Sequence, residues 1–127
     1  EKIAMEHLRE KGYTILENNW MSSHNEIDII AKKDDTLVIV EVKTRRSESF
    51  MTALSAVDRK KRNNLILAAR HYMNYFYHGE PRPYRFDIIT VVGEGPQYEL
   101  SHYRRAFTKD DYQDTQKVKR EIKFCRY

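Results

Sequence analysis

Leu37-Val38-Ile39-Val40-Glu41-Val42-Lys43 is apolar on both alternating faces for its first four residues, then carries two charges two positions apart. A strand without a polar face is one covered on both sides, so this run reads as part of a strand over 36–43 in the middle of a sheet. Upstream, residues 26–31 alternate. Ile27, Ile29 and Ala31 fall on one face and Glu26, Asp28 and Ile30 on the other, and Lys33-Asp34-Asp35 supplies the hairpin turn between the two strands. Further out, residues 13–18 read as a strand, and Asn18-Asn19 with Ser22-Ser23-His24-Asn25 gives turn chemistry to a loop around Trp20 and Met21. A helix over 1–11 is predicted from the spacing of Ala4, Met5 and Leu8, with Gly12 as its stop.

Downstream, 44–50 is a polar loop, and 51–77 is helical, beginning between Met51 and Val57. Its apolar stripe is Leu65, Ala68, Ala69, Tyr72 and Phe76, and Lys61 is the next position on that stripe toward the N-terminus. Gly79, Pro81 and Pro83 end the helix. Residues 85–92 read as a second buried strand closed by Gly93, Gly95 and Pro96, residues 98–103 as a short strand, and the chain from Asp110 onward as helix-compatible. The order αβββαβ, with a helical crossover between the third and fourth strands, predicts the α/β class: a mixed sheet with helices on its faces.

The 127 residues, 40% hydrophobic and 33% charged, fit one domain with a packed interior and exclude disorder of the whole chain. No apolar run approaches the roughly 20 residues that cross a bilayer, and no charged-then-apolar leader opens the chain. Membrane and export roles are therefore not expected. Cys125 is the single cysteine, so neither a disulfide framework nor a thiolate metal cluster holds the fold, and a cytoplasmic location is the expectation. The net charge of +4 is unevenly spread. Residues 1–42 hold nine acidic against five basic side chains, residues 43–62 seven basic against two acidic, and 117–127 five basic against one acidic. A carboxylate cluster ringed by Lys and Arg suits a cation and a polyanion bound together; the plainer reading is solvated surface charge with a basic tail.

Asp28, Glu41 and Lys43 interrupt strands that are otherwise apolar. An unpaired buried charge costs several kcal/mol, so these side chains are expected to be paired, at a sheet end or on a metal. Alternation puts Glu41 and Lys43 on one face, and the hairpin brings Asp28 alongside Glu41. Facing carboxylates repel each other, but a divalent cation reverses that sign, and hard oxygen donors suit Mg²⁺ or Mn²⁺. Lys43 would then orient or help deprotonate a water, or stabilise charge on a phosphoryl transition state. The competing reading is a Glu–Lys pair at a strand end with Asp28 solvated in a turn.

Four blocks in order sharpen the choice: Gly12-Tyr13-Thr14-Ile15-Leu16-Glu17-Asn18-Asn19-Trp20, Glu26-Ile27-Asp28-Ile29-Ile30-Ala31, Val40-Glu41-Val42-Lys43-Thr44-Arg45 and Arg85-Phe86-Asp87-Ile88-Ile89. Over residues 1–107 the chain resembles the YraN-type bacterial family, which is similar to the archaeal Holliday-junction resolvases of the PD-(D/E)XK nuclease superfamily. The resemblance implies a restriction-endonuclease-like mixed sheet over 1–107; residues 108–127 fall outside it and read, from their own charge and pattern, as a basic, helical C-terminal extension. The resemblance also implies an Mg²⁺- or Mn²⁺-dependent endonuclease that hydrolyses DNA phosphodiesters by metal-activated water, acts on branched or otherwise structured DNA, and works as a homodimer. Matched position by position, Asp28, Glu41 and Lys43 become the catalytic set, with the Val42 carbonyl as a further metal ligand. Glu1 matches a glutamate at the start of the first helix, which makes it either a third metal carboxylate or a first-turn acid favoured by the helix dipole. Lys61 matches the family's lysine on the crossover helix, a phosphate contact, and Thr44 and Arg45 are placed to reach the nucleic-acid backbone. Asn25 departs from the pattern, standing where the family has glycine; Asn tolerates left-handed angles.

Two rivals share these residues. One is a non-catalytic nucleic-acid-binding module using the 43–62 basic segment, and the other a structural protein in which Glu41 and Lys43 form only a salt bridge. The five histidines show no metal-ligand spacing and read as packing or surface groups, and Tyr72, Tyr75, Phe76 and Tyr77 read as core and dimer surface rather than base-stacking groups.

Overall fold

A computed structural model describes residues 1–23, 25–45 and 57–112, and the statements below concern these. Helix α1 (Lys2–Glu10) is followed by strands β1 (Thr14–Ser22), β2 (Asn25–Lys33) and β3 (Thr36–Arg45), helix α2 (Arg59–Tyr77), strands β4 (Tyr84–Glu94) and β5 (Gln97–Phe107), and a 3-10 turn at Lys109–Asp111. The five strands form one sheet in sequence order; β3 and β4 are parallel and the other neighbours antiparallel. This is the expected α/β mixed sheet, compatible with a restriction-endonuclease-like fold. β3 lies at its centre because Leu37, Val38, Ile39 and Val40 are all buried, and a strand so apolar is stable only with cover on both faces.

Two cores sandwich the sheet. On one face Leu65, Ile66, Ala68, Ala69, Tyr72 and Met73 of α2 pack on Ile27, Ile30, Leu37, Ile39, Phe86 and Ile88. On the other, Ala4 and Leu8 of α1 pack on Ile29, Ala31, Val38, Val40, Ile89 and Val91. The helical stripe was expected to include Phe76, but that ring is 43% exposed and Ile66 and Met73 take the buried places. α2 begins at Arg59 rather than at or before Val57, because the Asp58 side chain accepts the Lys61 amide at 2.8 Å and caps the helix. The stretch 46–56 and the tail helix expected beyond 112 lie outside the described residues.

Three boundaries differ from expectation for local reasons. β1 runs through the predicted loop to Ser22, because a register shift between Ile15 and Glu17 and a left-handed Asn19 let the Asn-rich segment stay paired with β2. The left-handed turn residue there is Ser23, not Asn25, which pairs with Ser22 as the first residue of β2. β5 extends to Phe107 by bulging against β4, where Phe86 faces Phe107 while Ile88 faces Tyr103.

The bulge surrounds Asp87, a carboxylate only 1% exposed. Its Oδ1 accepts the Arg105 amide and Arg85 Nε, both at 3.1 Å, and its Oδ2 accepts His102 Nε2 at 2.7 Å. Arg85 Nη2 also donates to the Tyr13 hydroxyl at 2.6 Å. An ionised carboxylate only accepts, so His102 donates from Nε2; in the neutral ring its Nδ1 accepts from His7 Nε2, the two nitrogens lying 3.2 Å apart. Burial alone would push the Asp87 carboxyl up, yet the bonds from His102, Arg85 and the Arg105 amide hold it below the usual carboxylate range. The His7 ring is lowered from its ordinary value, by burial first and by the neighbouring His102 next.

This network ties α1 and Tyr13 to β4 and β5. Asp87→Ala strands the Arg85 guanidinium and the Arg105 amide and is expected to cost about 3–5 kcal/mol, the range for breaking one side of a buried ion pair. Urea unfolding of the variant beside wild type measures it, and a loss under about 1 kcal/mol would mean water replaces the carboxylate.

Candidate functional site

The second buried carboxylate lies on the α2 face. Along β3, Leu37, Ile39 and Glu41 point toward α2 while Val38 and Val40 point toward α1, so Glu41 continues the row of Ile39 and Lys43 follows two residues on. Lys43 Nζ lies 3.4 Å from Glu41 Oε1, and Lys61 Nζ, from the first turn of α2, lies 3.7 Å from the same oxygen. Cap and ion pair act together here, since the Asp58 bond that fixes the start of α2 is made to Lys61's own amide.

Asp28 enters by an irregularity in β2. The expected alternation placed Ile27, Ile29 and Ala31 together, whereas Ile27 belongs with Ile30 to the α2-side core and Ile29 with Ala31 to the α1-side core. The alternation therefore slips by one residue at Asp28, opposite the left-handed Asn19 of β1. Backbone pairing of β2 with β3 stops at Ile29 and Val40. Beyond it the Val42 amide donates to Asp28 Oδ2 at 2.8 Å, so a side chain takes over where the ladder ends.

Asp28, Glu41 and Lys43 are thus brought together, with Lys61 beside them. Glu41 is 4% exposed, and its Oε2 is the one buried side-chain oxygen or nitrogen without a hydrogen-bond partner among the described residues. Burial, and after it the neighbouring Asp28 charge, pushes the Glu41 carboxyl up to about 7 against the opposing pull of Lys61 and Lys43. An orphaned carboxylate oxygen in a group that feels a second carboxylate's charge is a donor set that a hard divalent cation fits. Among the described residues no three His, Cys, Asp or Glu side chains gather closely enough to hold a metal, so Glu1 does not join the pair. Glu1 is the exposed cap residue of α1, whose buried side chains pack on the other face of the sheet. Thr44 and Arg45 end β3 exposed, with Arg45 Nη1 donating to the Thr44 carbonyl at 3.0 Å. No helix of the described residues is long and apolar enough to cross a membrane.

Sequence reasoning passed over two polar groupings: the Asp87–His102–His7 chain, and a bond between the Ser22 hydroxyl and His71 Nδ1. The first had a signal in Arg85 and Asp87, two charges two residues apart in an apolar strand, the pattern that marked Glu41 and Lys43. The second had none, since Ser22 and His71 are 49 residues apart and meet only through the packing of α2 on β1.

A family model described as "Uncharacterised protein family UPF0102" matches residues 1–91. Relatives named "UPF0102 protein" include one from Bacteroides thetaiotaomicron, 44% identical over 107 residues, covering 84% of this chain and 87% of that protein. Others are from Flavobacterium johnsoniae, 40% identical over 109 residues (84% and 89%), and Syntrophomonas wolfei, 38% identical over 110 residues (84% and 92%).

The raised Glu41 carboxyl sets a sign for stability against pH. A folded value near 7 over an ordinary 4.5 means that the folded state holds this proton more tightly, so its contribution is full below pH 4.5 and is lost as pH rises through 7. In EDTA, wild type is therefore expected to lose stability relative to Glu41→Gln between pH 4.5 and 8, by at most about 3 kcal/mol. Parallel urea titrations of the two proteins across that range check it; a constant difference would mean that Glu41 is ionised throughout.

Proposed function

The chain belongs to the UPF0102 family, and we propose that it is a divalent-cation-dependent DNA endonuclease whose centre is Asp28, Glu41 and Lys43. The observation that carries the reading is the unpartnered, buried Oε2 of Glu41, whose carboxyl feels the charge of Asp28, with two lysines on its other oxygen. A carboxylate kept only for an ion pair would have both oxygens satisfied, as Asp87 has. Asp28 and Glu41 would hold Mg²⁺ or Mn²⁺, with the Val42 carbonyl as a further oxygen donor. When bound, the cation supplies a Lewis acid for the phosphoryl oxygens and lowers the pKa of a water.

The chain's own groups supply the rest. Lys43, half-buried and held at the strand end, puts an ammonium where charge develops on the phosphoryl group. Lys61 leaves Glu41 to contact an adjacent phosphate, a move favoured once a cation neutralises the carboxylates. Thr44 and Arg45, exposed at the end of β3, lie along the continuing backbone. Seven basic residues over 43–62 draw the polyanion toward the site. Branched or otherwise structured DNA, cut by a homodimer, is the substrate that the resolvase likeness favours.

Calorimetry with Mn²⁺ and cleavage assays on duplex, single-stranded and four-way-junction DNA test the reading. Wild type is expected to bind Mn²⁺, and Asp28→Asn and Glu41→Gln to lose that binding. Lys43→Ala is expected to retain the metal but cut about 10²–10³-fold more slowly. Metal binding without cleavage of any substrate would leave a nucleic-acid-binding module, and no metal binding would leave a structural ion pair.

A further inference from the structure

We propose that the cavity between the end of β1 and the second half of α2 seats an unstacked nucleobase, so that the preferred substrate is DNA with an unpaired nucleotide near the cut. This rests on the nuclease reading and adds a substrate class to it. The cavity, about 520 Å³, is lined by Trp20, Met21, Ser22, Ser23, His71 and Tyr75. Its size lies within the range of small-ligand sites.

The lining chemistry selects the occupant. Among the described lining residues none is an acid, lysine or arginine, so nothing fixed in charge faces the cavity and it suits a flat, largely apolar group. Trp20 is held by an edge-on contact with the buried Tyr72, ring centroids 5.2 Å apart, while Tyr75 is 74% exposed and open to stacking. Met21, 59% exposed, adds a polarizable apolar wall. Against these surfaces stands a polar pair, the buried Ser22 hydroxyl bonded to His71 Nδ1. Aromatic faces with a few fixed polar atoms are what a nucleobase requires: stacking for its face and hydrogen bonds for its edge.

Position completes the argument. Ser22 pairs with Asn25, three residues along β2 from Asp28, which puts the cavity about 10 Å further along the same sheet. α2 spans both places, with Lys61 at Glu41 and His71, ten residues on and about 15 Å along the helix, at Ser22. A strand with one phosphate at Glu41 and Lys43 therefore has a base within reach of the cavity a few nucleotides away, at about 3.4 Å per nucleotide along a duplex. A base can enter only if it is unpaired.

Trp20 is the only tryptophan in the chain, so its fluorescence reports on the cavity. In EDTA, where cleavage is absent, a short oligothymidylate is expected to quench Trp20 saturably, whereas an abasic oligonucleotide with the same phosphates is not. Tyr75→Ala, at an exposed position, is expected to weaken oligothymidylate binding about tenfold and to leave affinity for blunt duplex DNA unchanged. Equal quenching by both oligonucleotides, or unaltered binding by Tyr75→Ala, overturns the inference. So does sedimentation showing that Met21→Ser with Tyr75→Ala converts a dimer to monomer while oligothymidylate binding persists, since the patch would then be a self-association surface. The two readings fail separately. Base-dependent quenching by a protein that cuts nothing keeps the cavity's role and removes the reaction, whereas metal-dependent cleavage that is identical in Tyr75→Ala on every substrate keeps the reaction and removes the cavity's role.

Discussion

The bond from the Val42 amide to the Asp28 carboxylate is the constraint on which the site depends. It replaces backbone pairing at the point where β2 and β3 part, after Ile29 and Val40. A regular hairpin would continue the ladder and keep Ile27 on the face of Ile29. Here the strand slips by one at Asp28, Ile27 turns to the α2 core, and the Asp28 carboxylate is held at the edge of the gap beside Glu41. A local departure from ideal strand geometry thus places a second acid near the first, a costly arrangement without an opposite charge.

The sheet holds two buried acids, and their contrast separates support from function. Asp87 faces the α1 side with both oxygens bonded, and its carboxyl is held low. Glu41 faces the α2 side with one oxygen orphaned and its carboxyl pushed up to about 7. Depth is similar; what differs is satisfaction. The Asp87 network anchors α1, Tyr13, β4 and β5 to one another, while the end of β3, clasped by α2 through Lys61, keeps unused donor capacity. Unsatisfied polarity sits at the Glu41 end, as expected where a structure retains capacity for a ligand.

Much of this was legible in the residues. The two-faced apolar run of β3 fixed the centre of the sheet, and the spacing of Glu41 and Lys43 placed them on one face. Asp28 was expected beside Glu41 through a regular alternation that the strand does not follow: the neighbouring Ile27 belongs to the α2-side core rather than with Ile29, and no composition signal marks that slip. Glu1 was matched through the family likeness, with its place on the α1 stripe as support, and periodicity says which residues share a stripe, not which face of the sheet the helix covers. Asn-rich β1 and the polar, bulged β5 were read short, because turn-forming residues and an exposed edge hide strand character that pairing with a neighbour supplies. His71 escaped because Ser22 lies 49 residues away in sequence, and the His7–His102 contact because its two rings are 95 residues apart.

The central claim is that the acids of β2 and β3 converge on a doubly charged cation. A crystal of wild type grown with Mn²⁺ and measured for anomalous scattering tests it most directly. The account expects a peak between the Asp28 and Glu41 carboxylates, on the side of Glu41 Oε2, with Lys61 drawn back. A map with no peak there, and Glu41 still clasped by Lys43 and Lys61 at saturating Mn²⁺, would contradict it.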